Sequence, residues 1–163
     1  MLERRAVQTE AELAVLHPVI ENIWREVFTP IIGSEQVAYM LKHYQGKENI
    51  RREMAAGVCY YALFYAGECV GYTAYERTPE FLYLSKIYIA KDYRGIGLMR
   101  QIFDWYDQLS AEFSLKQHLR VNQGNAQAIA VYKRRGFELV AEDIVDIGEG
   151  FQMIDYLFEK NCC

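Results

Sequence analysis

The sequence lacks a run of apolar residues long enough to cross a membrane. Its longest stretch without a charged residue is the fourteen residues between Glu53 and Glu68, whereas a spanning helix needs about 20 apolar residues. No apolar segment follows the positive charges of Met1–Arg5, so no secretory signal is predicted. Cys162–Cys163 has no basic stretch beside it, which favours an untethered tail over a lipid anchor. These absences predict a cytoplasmic protein that does not bind a membrane.

An excess of basic charge is also missing. The chain has 18 Lys and Arg residues against 22 Asp and Glu residues, a formal net charge of −4 at pH 7, whereas nucleic-acid binding requires a basic surface. The three histidines lie far apart in the sequence, and no cysteine pair has the spacing of a zinc site. The sequence therefore predicts neither a nucleic-acid partner nor a metal.

Cysteine and proline are scarce, with four and three residues. Cys59 and Cys69 are expected to be buried in neighbouring strands of a hairpin. A turn at Ala66–Gly67 would place Cys69 opposite Phe64 and Cys59 opposite Ala74. These two cysteines are then too far apart for a disulfide.

What the sequence does have is a large apolar and aromatic fraction. Of its 163 residues, 52% are hydrophobic and 14% are aromatic, and 13 of the aromatic residues are tyrosines. A chain of this length and composition is expected to form one domain, residues 1–163, around a sizeable core. Tyrosine also suits a pocket whose walls are apolar and whose tips are polar.

The first third of the chain has helical periodicity. Thr9 and Glu12 form a capping box at the start of the first helix. This helix is expected to kink or split at Pro18 and to end at a loop over Thr29–Gly33. A second helix should begin at Ser34, and a short third helix should follow it.

The pattern then changes to that of strands alternating with helices. Beyond an edge strand within residues 2–8, the expected strands are 58–65, 68–76, 81–90, 117–121, 137–141 and 151–158, with helices over 98–113 and 125–135. This order predicts an α/β (mixed α+β) fold, antiparallel first and with a βαβ crossover in the middle.

The densest chemical signal is the segment Leu84–Met99. A strand leads through a basic loop containing Gly95 and Gly97 into an amphipathic helix. The first N–H groups of a helix have no partner within it and carry partial positive charge. Glycines let a ligand approach the backbone, so this loop could cradle a pyrophosphate; an ordinary strand-to-helix turn is the alternative. It is not a dinucleotide fingerprint, because Arg100 stands at the third glycine position.

These residues resemble the central motif of the GNAT superfamily of acetyl-CoA-dependent N-acetyltransferases, Arg/Gln-x-x-Gly-x-Gly/Ala. Arg94 and Gly97 match this motif, whereas Met99 stands where a small residue is expected. A second family motif, Asn-x-x-Ala-x-x-x-Tyr-x-x-x-Gly-Phe, matches in full over Asn125–Phe137. Together the two motifs cover residues 84–137 in the family's order.

The resemblance implies a central mixed, mostly antiparallel sheet of about six to seven strands flanked by about four helices. It also implies that the strand at Ile87–Ile89 is splayed from the next strand, often by a β-bulge, and that the pantetheine arm of acetyl-CoA lies in the gap. The residues it implies for binding acetyl-CoA are Ile87, Tyr88, Ile89, Arg94, Gly95, Ile96, Gly97, Leu98, Met99, Asn125 and Lys133.

The resemblance further implies that Tyr132 is the general acid that protonates the departing thiolate; a packed aromatic residue is the alternative. Asn125 lies seven residues earlier, on the same helix face about 10 Å away, and is expected to hold the arm or to cap the helix. Arg94 is expected to contact phosphate. The general base cannot be chosen among four carboxylates: Glu76, Glu80, Glu149 and Asp155.

The expected acceptor is a primary amine of a small molecule, such as a polyamine or another amino compound. Segments 23–41 and 148–156 resemble a bacterial branch of the family that includes polyamine acetyltransferases. Candidate residues of the substrate wall, with core packing as the alternative for each, are Trp24, Phe28, Tyr39 and Tyr83. Two other functions stay open: acetylation of a protein N-terminus or lysine, and binding of acyl-CoA with little turnover, which Met99 raises. A homodimer is a further expectation.

Overall fold

A computed structural model describes residues 1–162 of the protein; Cys163, the second residue of the terminal pair, lies outside them. The helices and strands are, in chain order, β1 (Glu3–Ala6), α1 (Glu10–Ile32), α2 (Ser34–His43), α3 (Lys47–Ala55), β2 (Cys59–Tyr65), β3 (Glu68–Arg77), β4 (Phe81–Ile89), α4 (Leu98–Phe113), β5 (Lys116–Asn122), α5 (Ala126–Arg134), β6 (Glu138–Gly148) and β7 (Phe151–Lys160). Within residues 1–162, none of the helices combines the length and the apolar character needed to span a membrane.

The strands form a seven-stranded sheet in the order β1-β2-β3-β4-β5-β7-β6. β4 and β5 run parallel and are joined by α4 as a crossover, whereas the pairs β1/β2, β2/β3, β5/β7 and β6/β7 are antiparallel. The predicted mixed, mostly antiparallel sheet is confirmed. The described chain has five α-helices; the residue pattern predicted all five, the short helix α3 included, whereas the resemblance implied about four.

The chain forms two compact units. Unit 1 comprises Met1–Glu76 and Lys86–Ile102, and unit 2 comprises Arg77–Ser85 and the chain from Phe103 onward. β4 contributes its first five residues to unit 2 and its last four to unit 1. That residues 1–163 form one domain stays a prediction.

Helix α1 of unit 1 runs through Pro18 and Pro30 without ending. Pro18 therefore does not split the helix, and the expected loop over Thr29–Gly33 is wrong; a kink at Pro18 stays a prediction. A proline removes one hydrogen bond of the helix, but burial of an apolar face on both sides of it stabilises the helix against that loss. The residues of this buried face are Leu13, Leu16, Ile20, Ile23, Trp24 and Phe28.

The hairpin of β2 and β3 turns at Ala66–Gly67, as expected, with both residues in the left-handed region at φ 52° and 82°. Cys69 lies opposite Phe64, but Cys59 lies opposite Tyr75 and not opposite Ala74. The register shifts by one residue between Leu63 and Phe64. The irregularity at Leu63–Phe64 leaves no mark in the hydrophobic pattern of β2, which explains the error.

The buried positions of β4 change phase midway along the strand. Leu82 and Leu84 are buried, and so are Ile87 and Ile89. The alternation therefore slips by one residue at Ser85–Lys86, which is the effect of a β-bulge. This slip sets which side chains of the last half of β4 face the core just before the glycine-containing loop.

In unit 2, one face of β5 and β7 packs against α4. Gln117 of β5 donates from Nε2 to the Asp107 carboxylate of α4 at 2.8 Å, and Lys160 of β7 donates to the same carboxylate at 2.9 Å. Because successive strand residues point to opposite faces, His118 and Arg120 lie on the other face of β5. That face carries His118 and Arg120 of β5 together with Asp155 and Glu159 of β7, which lie opposite Asn122 and His118 in the register.

Candidate active site

The loop between β4 and α4 is open at both of its glycines. Gly95 and Gly97 have φ 80° and 87°, in the left-handed region that favours glycine. A Cβ added at Gly95 would meet no atom within 4 Å, and one at Gly97 would meet only the end of the Arg100 side chain at 3.6 Å. The space above the loop backbone is therefore accessible to a ligand.

The backbone of this loop offers unpaired donors. The N–H groups of Gly95, Ile96 and Gly97 make no hydrogen bond within residues 1–162, and the first N–H groups of α4, which begins at Leu98, have no partner inside the helix. The first turn of α4 has no acidic residue and includes the exposed cation Arg100. Unpaired donors at the positive end of a helix bind phosphate groups, so the loop fits a pyrophosphate.

Arg94 is already engaged within unit 1. Its Nε donates to the carbonyl oxygen of Ile89 at 2.9 Å, and its two terminal nitrogens donate to the Glu26 carboxylate at 2.6 and 3.1 Å. This pair joins α1 to the loop and to the end of β4. Arg94 therefore positions the loop, and a direct contact with phosphate stays a prediction.

The remaining cofactor candidates of unit 1 differ in what they can offer. The side chains of Ile87, Ile89 and Leu98 are buried, so only their backbone groups could meet a ligand. Ile96 is exposed and Met99 is partly exposed in the first turn of α4.

Tyr88 belongs to an aromatic cluster formed with Trp24, Phe28 and Tyr72, whose ring centroids lie 4.3 to 6.2 Å apart. Trp24 donates from Nε1 to the Tyr72 hydroxyl at 2.8 Å, and Tyr72 donates to Oε1 of Gln45 at 3.2 Å. Trp24 and Phe28 are only 3% and 4% exposed. Both side chains therefore pack in the core of unit 1, and a role for either of them in the substrate wall stays a prediction.

The other two candidates for the substrate wall are more accessible. Tyr39 on α2 is partly exposed, with its ring 4.5 Å from the imidazole of His43. Tyr83 lies on β4 in unit 2, opposite His118 in the register, with the ring centroids 5.9 Å apart. Tyr83 thus shares a sheet face with the charged side chains of β5.

Asn125 caps α5 in unit 2. Its side-chain oxygen accepts from the N–H of Ala128 at 3.3 Å, which is the arrangement of a helix N-cap. Its side-chain nitrogen has no partner among residues 1–162. One side-chain atom of Asn125 therefore stabilises the helix, and the other is free to bind a ligand.

Tyr132 is held by aromatic rings, whereas its hydroxyl has no protein partner. Its ring centroid lies 5.9, 6.0 and 6.4 Å from those of Phe103, Phe137 and Phe158. No residue in the described chain hydrogen-bonds its hydroxyl. Burial raises the pKa of Tyr132, so the phenol is protonated at neutral pH and can donate a hydrogen bond.

The C-terminal end of α5 is fixed by an ion-pair network that the sequence motifs did not reveal. Arg135 donates to Asp104 and Asp107 of α4 at 2.9 Å each, and Lys160 shares the Asp107 carboxylate. Lys133, the remaining cofactor candidate, is exposed and forms no ion pair with any of the described residues. The network orients the helix that carries Asn125 and Tyr132.

Lys86, in the last half of β4, was also missed. Burial lowers the pKa of its ammonium, whereas the charge of Glu53 raises it. The Glu53 carboxylate accepts a hydrogen bond from the Tyr60 hydroxyl at 2.5 Å. A lysine in a strand normally indicates a solvent-facing position, so only the slip in the burial pattern of β4 could have signalled this one.

Comparisons with known proteins agree with this geometry. The model of the acetyltransferase (GNAT) domain matches residues 28–159. The chain is 28% identical over 157 residues to an uncharacterised N-acetyltransferase of Lactobacillus delbrueckii subsp. lactis. This match covers 88% of the chain and 90% of the relative. It is 30% identical over 98 residues to the spermine/spermidine N(1)-acetyltransferase of Bacillus subtilis, over 52% of this chain and 64% of that protein.

The fold also matches a solved structure. The crystal structure of PaiA N-acetyltransferase from Thermoplasma acidophilum, in complex with coenzyme A, superposes with a TM-score of 0.78, 16% identity and 99% coverage of both chains. The matched family domain contains both the open loop of Gly95 and Gly97 and the helix of Asn125 and Tyr132. Because the family model spans both motifs and the structure has the seven-stranded sheet that they predict, the chain belongs to the GNAT acetyltransferase family.

Proposed function

We propose that this protein transfers the acetyl group of acetyl-CoA to a primary amine of a small molecule, with polyamines as the first acceptors to test. The observation that carries this proposal is the Tyr132 side chain, whose ring is held by three aromatic rings and whose hydroxyl is protonated and has no hydrogen-bond partner within residues 1–162. A donor in this state suits a leaving group that gains negative charge.

Acetyl-CoA supplies the acetyl group as a thioester. The backbone N–H groups of Gly95–Gly97 and of the first turn of α4 bind the pyrophosphate. The Arg94–Glu26 pair holds this loop in its open shape. Backbone groups of Ile87–Ile89 orient the pantetheine arm.

Tyr132 acts on the sulfur as the thioester breaks. A thiol has a pKa of about 8.5 and a phenol one of about 10, so the phenol first donates a hydrogen bond and gives up its proton only as charge develops on sulfur. Because burial raises the pKa of Tyr132, the donor is fully protonated over the whole neutral range. A general acid of this kind contributes about 10²–10⁴-fold to the rate.

The acceptor class rests on a narrower argument. The similarity to the Bacillus subtilis spermine/spermidine acetyltransferase, which extends over 98 residues, supports a polyamine as the acceptor. Acetylation of a protein N-terminus or lysine is the alternative acceptor class, and binding of acyl-CoA with little turnover is the alternative without chemistry. A homodimer and a cytoplasmic location stay predictions.

The test is to incubate the protein with acetyl-CoA and a panel of amines and to follow the release of the free thiol of coenzyme A. The panel contains spermidine, spermine, 1,4-diaminobutane, butylamine and a lysine-containing peptide, with Tyr132→Phe as the matched inactive control. Turnover with the small amines supports the proposal. Turnover with the peptide alone, or binding of acetyl-CoA without turnover, contradicts it.

A further inference from the structure

A charged cluster lies on the face of β5 and β7 opposite α4. Arg120 of β5 donates from Nε to Oδ2 of Asp155 on β7 at 3.3 Å and from Nη2 to Oδ2 of Asp143 on β6 at 2.7 Å. Asp155 lies opposite both Asn122 and Asp143 in the strand register. We call Arg120, Asp143 and Asp155 the Arg120 cluster.

The Arg120 cluster has more negative than positive charge. One guanidinium forms ion pairs with two carboxylates, so the ionised cluster carries a net charge of −1. Its members are not equally accessible: the side chains of Asp143, Arg120 and Asp155 are 43%, 30% and 9% exposed. The cluster is therefore open to solvent at Asp143 and buried at Asp155.

The buried end of the cluster holds an unused acceptor. Oδ1 of Asp155 is buried and has no hydrogen-bond partner within residues 1–162. Burial raises the pKa of Asp155, whereas the hydrogen bond from Arg120 lowers it. A buried carboxylate oxygen without a donor is costly to leave unpaired, and a cationic donor would satisfy both the free oxygen and the excess charge.

Aromatic side chains lie beside the cluster. Tyr83 of β4 is close enough to Arg120 to interact with it electrostatically. The His118 ring stacks on Phe81 at 4.4 Å, and His118 itself pairs with Glu159 at 2.8 Å. An alkyl chain ending in an ammonium group matches apolar ring faces next to a carboxylate.

We propose that Oδ1 of Asp155 binds a protonated nitrogen of the acceptor, and that this is a nitrogen other than the one that is acetylated. The acceptor class is then a di- or polyamine. This inference rests on the proposed function, because it takes the bound amine to be the acceptor of the acetyl group. A di- or polyamine differs from a simple amine in having a second nitrogen that can carry a positive charge.

The assignment to the non-reacting nitrogen follows from acid–base chemistry. A carboxylate next to an amine favours the ammonium form and raises the pKa of the amine. The attacking nitrogen has to be neutral, so such a partner would hinder it. The same partner stabilises an ammonium group at the far end of a diamine.

The first experiment is calorimetric binding of spermidine to the wild type, Asp155→Asn and Asp143→Asn, without acetyl-CoA. Asp155→Asn keeps an oxygen that can accept from Arg120 Nε but removes the charge at the buried end. Asp143→Asn removes the same charge from the exposed end of the cluster. We expect Asp155→Asn to weaken binding about 10- to 100-fold and Asp143→Asn to weaken it less than about threefold.

Equal losses of spermidine affinity in the two variants would mean that only the overall charge matters, and would overturn the inference. The inference would also be overturned if the wild type did not bind spermidine. An unchanged affinity in Asp155→Asn would overturn it too, because Oδ1 would then be left to a bound water. A second comparison needs no variant. The wild type should bind 1,4-diaminobutane at least about tenfold more tightly than butylamine, and equal affinities would also overturn the inference.

These results separate the inference from the proposed function. Spermidine binding that depends on Asp155 without thiol release from acetyl-CoA contradicts the proposed function and supports the binding site. Thiol release with spermidine, together with a spermidine affinity that is the same in Asp155→Asn as in the wild type, supports the proposed function and contradicts the binding site.

Discussion

The loop at Gly95–Gly97 offers backbone groups to a ligand, whereas the helix α5 offers side-chain groups. In the loop the side chain of Arg94 is hydrogen-bonded to Glu26 and to the Ile89 carbonyl, whereas the backbone N–H groups of Gly95, Ile96 and Gly97 have no partner within residues 1–162. In α5 the backbone is paired within the helix, whereas the Tyr132 hydroxyl and one side-chain atom of Asn125 have no partner in the part of the chain that the structure describes.

This difference indicates what each region requires of its sequence. Binding through the backbone requires glycine, because any side chain changes the path of the chain and fills the open space. Chemistry through a side chain requires one particular atom, and the ring that carries it has to be fixed by packing. Substitutions should therefore affect affinity at the loop and rate at α5.

The largest effect is expected from Tyr132→Phe. The substitution removes one oxygen and keeps the ring in contact with Phe103, Phe137 and Phe158. We expect the single-turnover rate of acetyl transfer to fall about 10²–10⁴-fold, with the affinity for acetyl-CoA nearly unchanged. Rapid-quench measurement of the acetylated amine gives this rate directly.

Tyr156→Phe is the matched control for that prediction. Tyr156 packs against the same ring, Phe158, at 6.3 Å, and its loss of one oxygen should leave the rate unchanged. A Tyr132→Phe rate equal to that of the wild type would make Tyr132 a packing residue. A joint collapse of affinity and rate would instead assign it to positioning acetyl-CoA.

The next largest effect is expected from Gly97→Val. A branched side chain at φ 87° is strained and projects into the open space of the loop. We expect the affinity for acetyl-CoA, measured by calorimetry, to fall about 10- to 100-fold. Gly67→Val places the same strain at φ 82° in the hairpin turn and should leave the affinity unchanged; equal affinity in a folded Gly97→Val protein would refute binding through this loop.

A smaller effect is expected where the loop is held by a side chain. Glu26→Gln removes the charge that pairs with Arg94 at 2.6 Å, so the loop loses its connection to α1. We expect the affinity for acetyl-CoA to fall about two- to fivefold. Glu48→Gln, which breaks an exposed pair with Arg52, is the control; if its effect equals that of Glu26→Gln, the Arg94 pair does not position the loop.

The smallest effect concerns stability and pH at Lys86. Because burial lowers the pKa of Lys86 in the folded state, the folded protein disfavours the ammonium form, and stability rises with pH toward the unfolded pKa of about 10.4. Lys86→Met should be more stable than the wild type at pH 7 by about 1 kcal/mol. Urea unfolding should show this difference shrinking between pH 7 and pH 10; a constant difference would exclude titration of Lys86 as its cause.

The sequence predicted the backbone features of this protein better than its side-chain partners. Strand and helix order follow from apolar periodicity, and the turn at Ala66–Gly67 follows from its residue types. α1 was expected to kink or split at Pro18, and it is not split, because local rules count the lost hydrogen bond and not the buried face on both sides of the proline. The register at Cys59 was wrong by one residue because the irregularity at Leu63 has no pattern of its own.

Side-chain partners depend on contacts between residues far apart in the sequence. The contact of Arg94 with phosphate stays a prediction, and the sequence did not reveal that Arg94 pairs with Glu26, which lies 68 residues earlier. Asp155 was one of four carboxylates that the sequence could not rank, and its free Oδ1 is visible only once β5, β6 and β7 are paired. Neither partner leaves a local signal.

The most direct test of the central claim, that the loop binds acetyl-CoA through its backbone, is a titration of protein labelled with ¹⁵N-glycine. Each of the 11 glycines reports on its own N–H group. The account predicts that acetyl-CoA shifts the amide signals of Gly95 and Gly97 strongly and leaves those of Gly33 and Gly67 in place. Saturation with acetyl-CoA that moves neither Gly95 nor Gly97 would contradict it.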